Sequence, residues 1–171
     1  MAVYRVLICH QQIVRAYIRA AGATEEASGS DPFQSLVRQC CLLSALYWLR
    51  ALIFQFRVPG FDFYDAIPQI WNRCKGILTR LEHGSHNCHD FDMSSFKFWI
   101  LVSGAQAGQV QACGKQHQQG WFTSKLSEQA RFMNLVDWKS ARDVLRTFVY
   151  SDLLQPSVQV WYADVVAVEH C

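Results

Sequence analysis

The stretch D-P-F-Q-S-L-V-R-Q-C-C-L-L-S-A-L-Y-W-L-R-A-L-I-F-Q-F-R-V-P-G, Asp31 to Gly60, decides the fold class. Asp31 stands as an N-cap, with Pro32 at the first helical position, where its missing N–H is no loss. Leu36, Cys40, Leu43, Tyr47 and Phe54 follow at near-helical separations. Pro59-Gly60 stops the run. The spacing predicts one long helix from Pro32 to about Phe56.

Part of that helix raises the question of a membrane. Cys40 to Phe56 spans 17 residues, the short limit of the roughly 20 that cross a bilayer as a helix. Arg50 lies inside it, with Ser44 and Gln55. An Arg at the bilayer centre costs at least about 2.5 kcal/mol. The stretch is therefore read as a helix buried in protein, and no membrane partner is expected.

Outward from this helix the pattern stays helical. On the N-terminal side, Val3 to Ala20 places Val3, Leu7, Val14 and Ile18 at near-helical spacing, with Arg15 and Arg19 four apart. Ala21 to Asp31 (AGATEEASGSD) is small and polar, the sharpest composition break in the chain. The expected organisation is an N-terminal helix over 1–20, a linker over 21–32 and a helical domain over 33–171.

On the C-terminal side, Asp62 caps an expected helix from Phe63 to about Leu81, which Pro68 kinks or shortens. Glu82 to Asp92 (EHGSHNCHDFD) reads as a loop. The next helix runs from Ser94 to about Cys113. Its SGAQAG segment, with Gly104 and Gly108, admits close approach of a neighbour. Gly114 to Gly120 is a polar connection, and Trp121 to Leu135 a further helix. Asp137 caps Trp138 to about Tyr150. After Pro156, Ser157 to Val168 is a short helix or, given its valines, a strand. No set of segments alternates with period two. The sum is an all-α fold, an irregular bundle of about six or seven helices.

Composition narrows the function classes. A length of 171 residues fits one domain, on the usual scale of about 100–200 residues. Sixteen Lys and Arg against fourteen Asp and Glu leave +2, too weak a field for a standalone nucleic-acid binder. Aromatics at 13% and a small net charge argue against disorder. The seven cysteines include no CxxC pair, which excludes the common zinc ribbons and thioredoxin-type sites. No secretory signal pattern opens the chain. Most cysteines are expected to be small buried hydrophobes in a reducing compartment.

The densest donor cluster is His83, His86, Cys88 and His89. Imidazole and thiol are zinc ligands, but a structural site draws pairs from two separated elements, and no second pair is evident. The cluster is expected to be a polar loop, with no metal site. Cys88 with His86 and Cys9 with His10 are sequence neighbours, which are rarely the partners of a nucleophilic site. GxSxG, HExxH, GxGxxG and phosphate-loop patterns do not occur. No catalytic residue, cofactor or enzymatic activity is expected. Trp48, Trp71, Trp99, Trp121, Trp138 and Trp161 fall about one to a helix. They are read as aromatic core, with an aromatic-lined pocket for a small apolar effector as the alternative. Leu43, Leu46, Trp48, Trp71, Trp99, Leu145, Phe148 and Trp161 are the expected core.

The last third reads W-x-x-A-R-D-V-L-R-x-F-V-Y-S-D-x-L-x-P-x-x-x-x-W from Trp138 to Trp161. Upstream stand FKFWILVSGAQAG (Phe96 to Gly108), QGWFTSKL (Gln119 to Leu126) and the YWLRAL of the long helix. Together they resemble the C-terminal part of the fungal-specific transcription factor domain, the regulatory region of fungal zinc-cluster transcription factors. The elements that carry the resemblance are Trp138, Leu145, Phe148, Asp152 and Trp161, and it spans roughly Phe33 to Val168. It implies a non-catalytic helical regulatory module in the nucleus, or alternatively the cytoplasm, that contacts protein partners, itself or a small apolar effector. The six-cysteine zinc cluster and its basic stretch do not occur in this sequence, so the resemblance implies no direct nucleic-acid binding. Tyr150 stands where many relatives carry Trp. The family domain is longer than this chain, which suggests a fragment or a shortened gene product. The alternative function is a small-molecule-binding helical domain with no transcriptional role.

Overall fold

Ile67, Ile70, Trp71, Cys74, Ile77, Leu78 and Leu81 recur at intervals of three and four residues. All seven are buried, while Gln69, Asn72, Arg73, Thr79, Arg80 and Glu82 between them are exposed. That is the stripe of an amphipathic helix packed on one side. A computed structural model of the chain places it as one of seven helices among the described residues. The residues described are 11–19, 32–55, 67–83, 93–111, 119–148 and 158–167.

Among them the helices are α1 (residues 11–19), α2 (Pro32–Gln55), α3 (Ile67–His83), α4 (Met93–Gln111), α5 (Gln119–Phe132), α6 (Trp138–Leu145) and α7 (Val158–Ala167). No strand occurs among the described residues, so the chain is all-α as the sequence predicts. It forms two compact units, Met1–Cys88 and His89–Cys171. The division falls in the polar stretch after α3. The expected linker over 21–32 lies outside the described residues apart from Pro32, which opens α2.

In the first unit α2 packs on α3. Phe33, Leu36, Cys40, Leu43 and Tyr47 form the buried stripe of α2, joined by Leu46 and Trp48. Tyr47 meets Trp71 edge-on at 5.1 Å and Trp48 at 5.9 Å. Such pairs add about 0.5–1.5 kcal/mol beyond the area they bury. No helix among the described residues is long and apolar enough to cross a membrane. Pro68 is the second residue of α3 as described, in the first turn, where no intrahelical N–H bond is lost. The expected cap Asp62 and the preceding turn lie outside the described residues. On the surface, Arg73 donates from Nη1 to the Tyr17 hydroxyl at 2.9 Å and ties α1 to α3.

The second unit is built round α4. Every residue from Phe98 to Ala107 is buried, so this helix is covered on all sides rather than along one stripe. It packs on α5 and α6, and α7 packs on α5 and α6. At Gly104 α5 comes close to α4. A Cβ built there would lie 2.6 Å from Cε1 and 2.8 Å from Cγ of Phe122. The neighbour admitted by the small-residue segment is therefore an aromatic ring. Ser103 is fully buried and returns its hydroxyl to the Trp99 carbonyl at 2.9 Å. The Gln129 amide donates to the Ser94 carbonyl at 3.3 Å and joins α5 to the start of α4.

Two helix limits and one side chain differ from the sequence expectation, and one alternative is decided. α5 ends at Phe132 and not at Leu135, because Asn134 adopts a left-handed backbone with φ 55°. α6 ends at Leu145, short of Tyr150, in tightened turns in which the Thr147 and Phe148 amides bond three residues back. Val158–Ala167 is a helix; the strand alternative fails. Tyr162 and Val165, one turn apart, are the buried side chains described in α7, so helical packing outweighs the β preference of its valines. Phe148 is half-buried rather than in the core, and its ring stacks on Trp99 at 5.2 Å and 8°. Leu43, Leu46, Trp48, Trp71, Trp99 and Leu145 are buried as expected. The Trp161 side chain lies outside the description.

Candidate contact site at the α5–α6 turn

The sequence N-L-V-D, Asn134 to Asp137, joins α5 to α6 and fixes each residue by a separate physical cause. Asn tolerates the left-handed region better than any residue but Gly. With Asn134 there, its amide bonds the Arg131 carbonyl at 3.0 Å and the Leu135 amide bonds the Ala130 carbonyl at 2.8 Å. This double bond pattern is a Schellman motif, which satisfies carbonyls that a helix end would otherwise leave open. Leu135 then turns inward and is buried.

Asp137 begins the next helix. Its Oδ1 accepts from the Ser140 amide at 2.9 Å, and its Oδ2 accepts from the Ser140 hydroxyl at 2.7 Å. The Asp137 backbone is extended, as an N-cap requires. The Ser140 bonds hold the carboxyl below its usual range. Asp137 is thus the cap that the sequence predicts.

A buried tyrosine braces the turn from behind. The Tyr162 hydroxyl of α7 donates to the Leu135 carbonyl at 2.7 Å. Its ring lies 5.6 Å from Trp138 and 6.2 Å from Phe98. Burial, and then the charge of Asp137, raise the hydroxyl pKa, so it remains a neutral donor at ordinary pH. One side chain therefore touches α4, α6 and the α5–α6 turn.

On the outer side of this brace stand Phe132, 77% exposed, and Val136, 67% exposed. They flank the left-handed residue, one before it and one after. Single exposed apolar residues are ordinary, but here two lie four positions apart on a turn held by a Schellman motif, a cap and a buried hydroxyl. The arrangement offers an exposed apolar pair on a fixed turn. The sequence reading missed it by running the helix through to Leu135, although Asn134 three residues before the cap Asp137 was the available signal.

The metal and nucleophile candidates Cys9, His10, His86, Cys88 and His89 lie outside the described residues, as does the His83 side chain. No group of three or more His, Cys, Asp or Glu among the described residues is arranged to hold a metal. Trp48, Trp71 and Trp99 are core, and Trp121 and Trp138 are half-buried against Phe122 and Tyr162. Of the tail pattern, Trp138, Leu145 and Phe148 belong to the second unit's aromatic core or its edge. Asp152, Tyr150 and the Trp161 side chain lie outside the description. In comparison with known proteins, the chain matches no protein-family model, no curated protein and no solved structure.

Proposed function

We propose that this chain is a non-catalytic helical regulatory module that acts in transcription through contact with a protein partner. The observation that carries the reading is the braced α5–α6 turn, which presents Phe132 and Val136 to solvent. The tail pattern that resembles the fungal-specific transcription factor domain supports it, since Trp138, Leu145 and Phe148 help build the unit that holds this turn. A regulatory contact needs a fixed apolar anchor inside a polar rim. Arg131, Asn134, Asp137 and Lys139 are exposed around the two apolar residues. Action in the nucleus belongs to the same reading.

A tethering assay tests it. The chain is fused to a heterologous DNA-binding domain in a yeast reporter strain. The reading predicts a several-fold change in reporter output, abolished by the double variant Phe132→Glu and Val136→Glu at unchanged thermal stability. Reporter output equal to that of the DNA-binding domain alone would overturn it.

A second reading, a small-molecule-binding domain, draws on the interior of α4 and α5. Gln106 Oε1 and Ser127 Oγ are buried there without a hydrogen-bond partner, and a ligand donor would satisfy them. Thermal shift against a panel of small amphipathic metabolites separates the two, because ligand binding raises Tm by mass action.

A further inference from the structure

The helices of the first unit are lopsided in charge. Among their described residues, α1 and α2 hold two Lys or Arg each and α3 holds three, seven in all, against one acid, Glu82. Arg15 and Arg19 of α1 and Arg73 and Arg80 of α3 are exposed, and none of the four is in an ion pair among the described residues. Arg73 and Arg80 are seven positions apart, so they share one face of α3 and stand about 10.5 Å apart along its axis. Gly76 lies between them on the same exposed side. Glycine weakens a helix relative to alanine. Packing does not call for it here, because a Cβ at Gly76 would meet nothing within 4 Å. The face is therefore a ridge of two guanidinium groups with a dip between them, where another backbone can come close.

Arg73 also donates to the Tyr17 hydroxyl at 2.9 Å, which brings α1 alongside α3. The outer face of α1 adds Arg15 and Arg19, with Ile18, 63% exposed, next to Arg19. Like charges four apart on a helix repel, and residues 11–19 of α1 carry no acid to offset them. The side chains that would relieve this repulsion are not supplied by α1 itself.

We propose that this arginine ridge on α1 and α3 docks an acidic, extended segment of a partner protein. A guanidinium fork takes a carboxylate through two parallel hydrogen bonds, and clusters of arginines are a recurring means of recognising acidic motifs. An extended chain advances about 3.3–3.6 Å per residue, so acids three positions apart match Arg73 and Arg80. An apolar residue of the same segment meets Ile18. Charge and chemistry favour this occupant over two others. Nucleic acid would meet a chain of net charge only +2, and its phosphates offer Ile18 nothing. A second copy would bring like charge, since the described residues of the second unit hold six Lys and Arg against four Asp and Glu. The ridge belongs to the first unit, whereas Phe132 and Val136 belong to the second, so its test does not depend on the α5–α6 turn.

The test uses the full chain and fluorescence anisotropy with a labelled peptide of Asp-Leu-Glu repeats, in which acids recur three apart. An Asn-Leu-Gln peptide and a labelled DNA duplex are run in parallel. The ridge predicts that the acidic peptide binds, that binding weakens as salt is raised, and that the neutral peptide and the duplex bind more weakly. The double variant Arg73→Gln and Arg80→Gln should weaken binding by about fivefold or more. Gly76→Gln should weaken it while Tm holds or rises, because glutamine favours a helix over glycine. Removing two charges from the second unit, in Lys125→Gln with Arg146→Gln, should leave binding unchanged. No binding of the acidic peptide would overturn the proposal. So would parental affinity in the ridge double variant, or a duplex or neutral peptide bound as tightly as the acidic one. Arg73→Gln also removes the Tyr17 bond. If the double variant fails to fold, Arg80→Gln and Gly76→Gln carry the test, and parental affinity in both would overturn it.

Discussion

Tyr162 joins three parts of the second unit. Its hydroxyl satisfies the Leu135 carbonyl, and its ring fills the space between Phe98 and Trp138. Removing only the hydroxyl leaves that carbonyl without its donor in a buried setting. Tyr162→Phe should cost about 1–3 kcal/mol by chemical denaturation, with the loss of helix content confined to the transition itself. A variant as stable as the parent would mean that water satisfies Leu135 equally well. Asp137 gives a prediction with a pH dependence. Its carboxyl is held below the usual range by Ser140, so the bound form is the ionised one. The stabilisation is present above the unfolded-state pKa of about 3.9 and disappears as pH falls through the lower folded value. Asp137→Ala should therefore destabilise the chain at pH 7, and the gap between variant and parent should close as pH drops below 4. A gap independent of pH would place the role of Asp137 in something other than its charge. Of these two residues, Asp137 was legible in the sequence, since an Asp before an apolar-periodic run is a start signal. Tyr162 was not, because its partner is a backbone carbonyl 27 positions away.

At the scale of the element, α2 and α4 show two ways for an apolar helix to be used. The Pro32 start of α2 was legible, because Pro acts through local backbone geometry. The all-round burial of α4 was legible only as a high apolar density. What covers each side depends on α5 and α6, which no local signal identifies. The close contact at Gly104 was half legible. The small residues announced a near neighbour, but not that the neighbour is the Phe122 ring. Gly104→Ala tests the contact. Alanine favours a helix by about 1 kcal/mol over glycine, so in an open site the change would stabilise. Here the added methyl meets Phe122, and overpacking typically costs about 1–3 kcal/mol. The net effect should be a loss of stability, with a restored Tm in the double variant carrying Phe122→Leu. A rise in Tm for Gly104→Ala alone would show that the ring moves aside freely. The ends of α5 and α6 escaped the periodicity, because a single left-handed residue and a tightened last turn end a helix without changing its apolar spacing.

For the whole molecule, the all-α class followed from the apolar spacing, since period-two alternation is missing from end to end. The division at 88/89 was not the sharpest compositional break. Compact units are set by which helices bury each other, and here α2 with α3 and α4 with α5 form the two largest packings. The contact site was illegible for the same reason. Phe132 and Val136 look like any other apolar residues until the turn between them directs them outward. The core of each unit can be read directly by amide hydrogen exchange of the full chain. Protection tracks the free energy of opening, and buried, well-packed helices exchange most slowly. The account predicts the slowest exchange in the second unit over residues 98–107 of α4, and in the first unit on the α2–α3 seam around Cys40–Trp48 and Ile70–Leu78. It also predicts fast exchange at the outer residues of α1. Rapid exchange through residues 98–107, with α4 no better protected than α1, would contradict a second unit built round a covered α4.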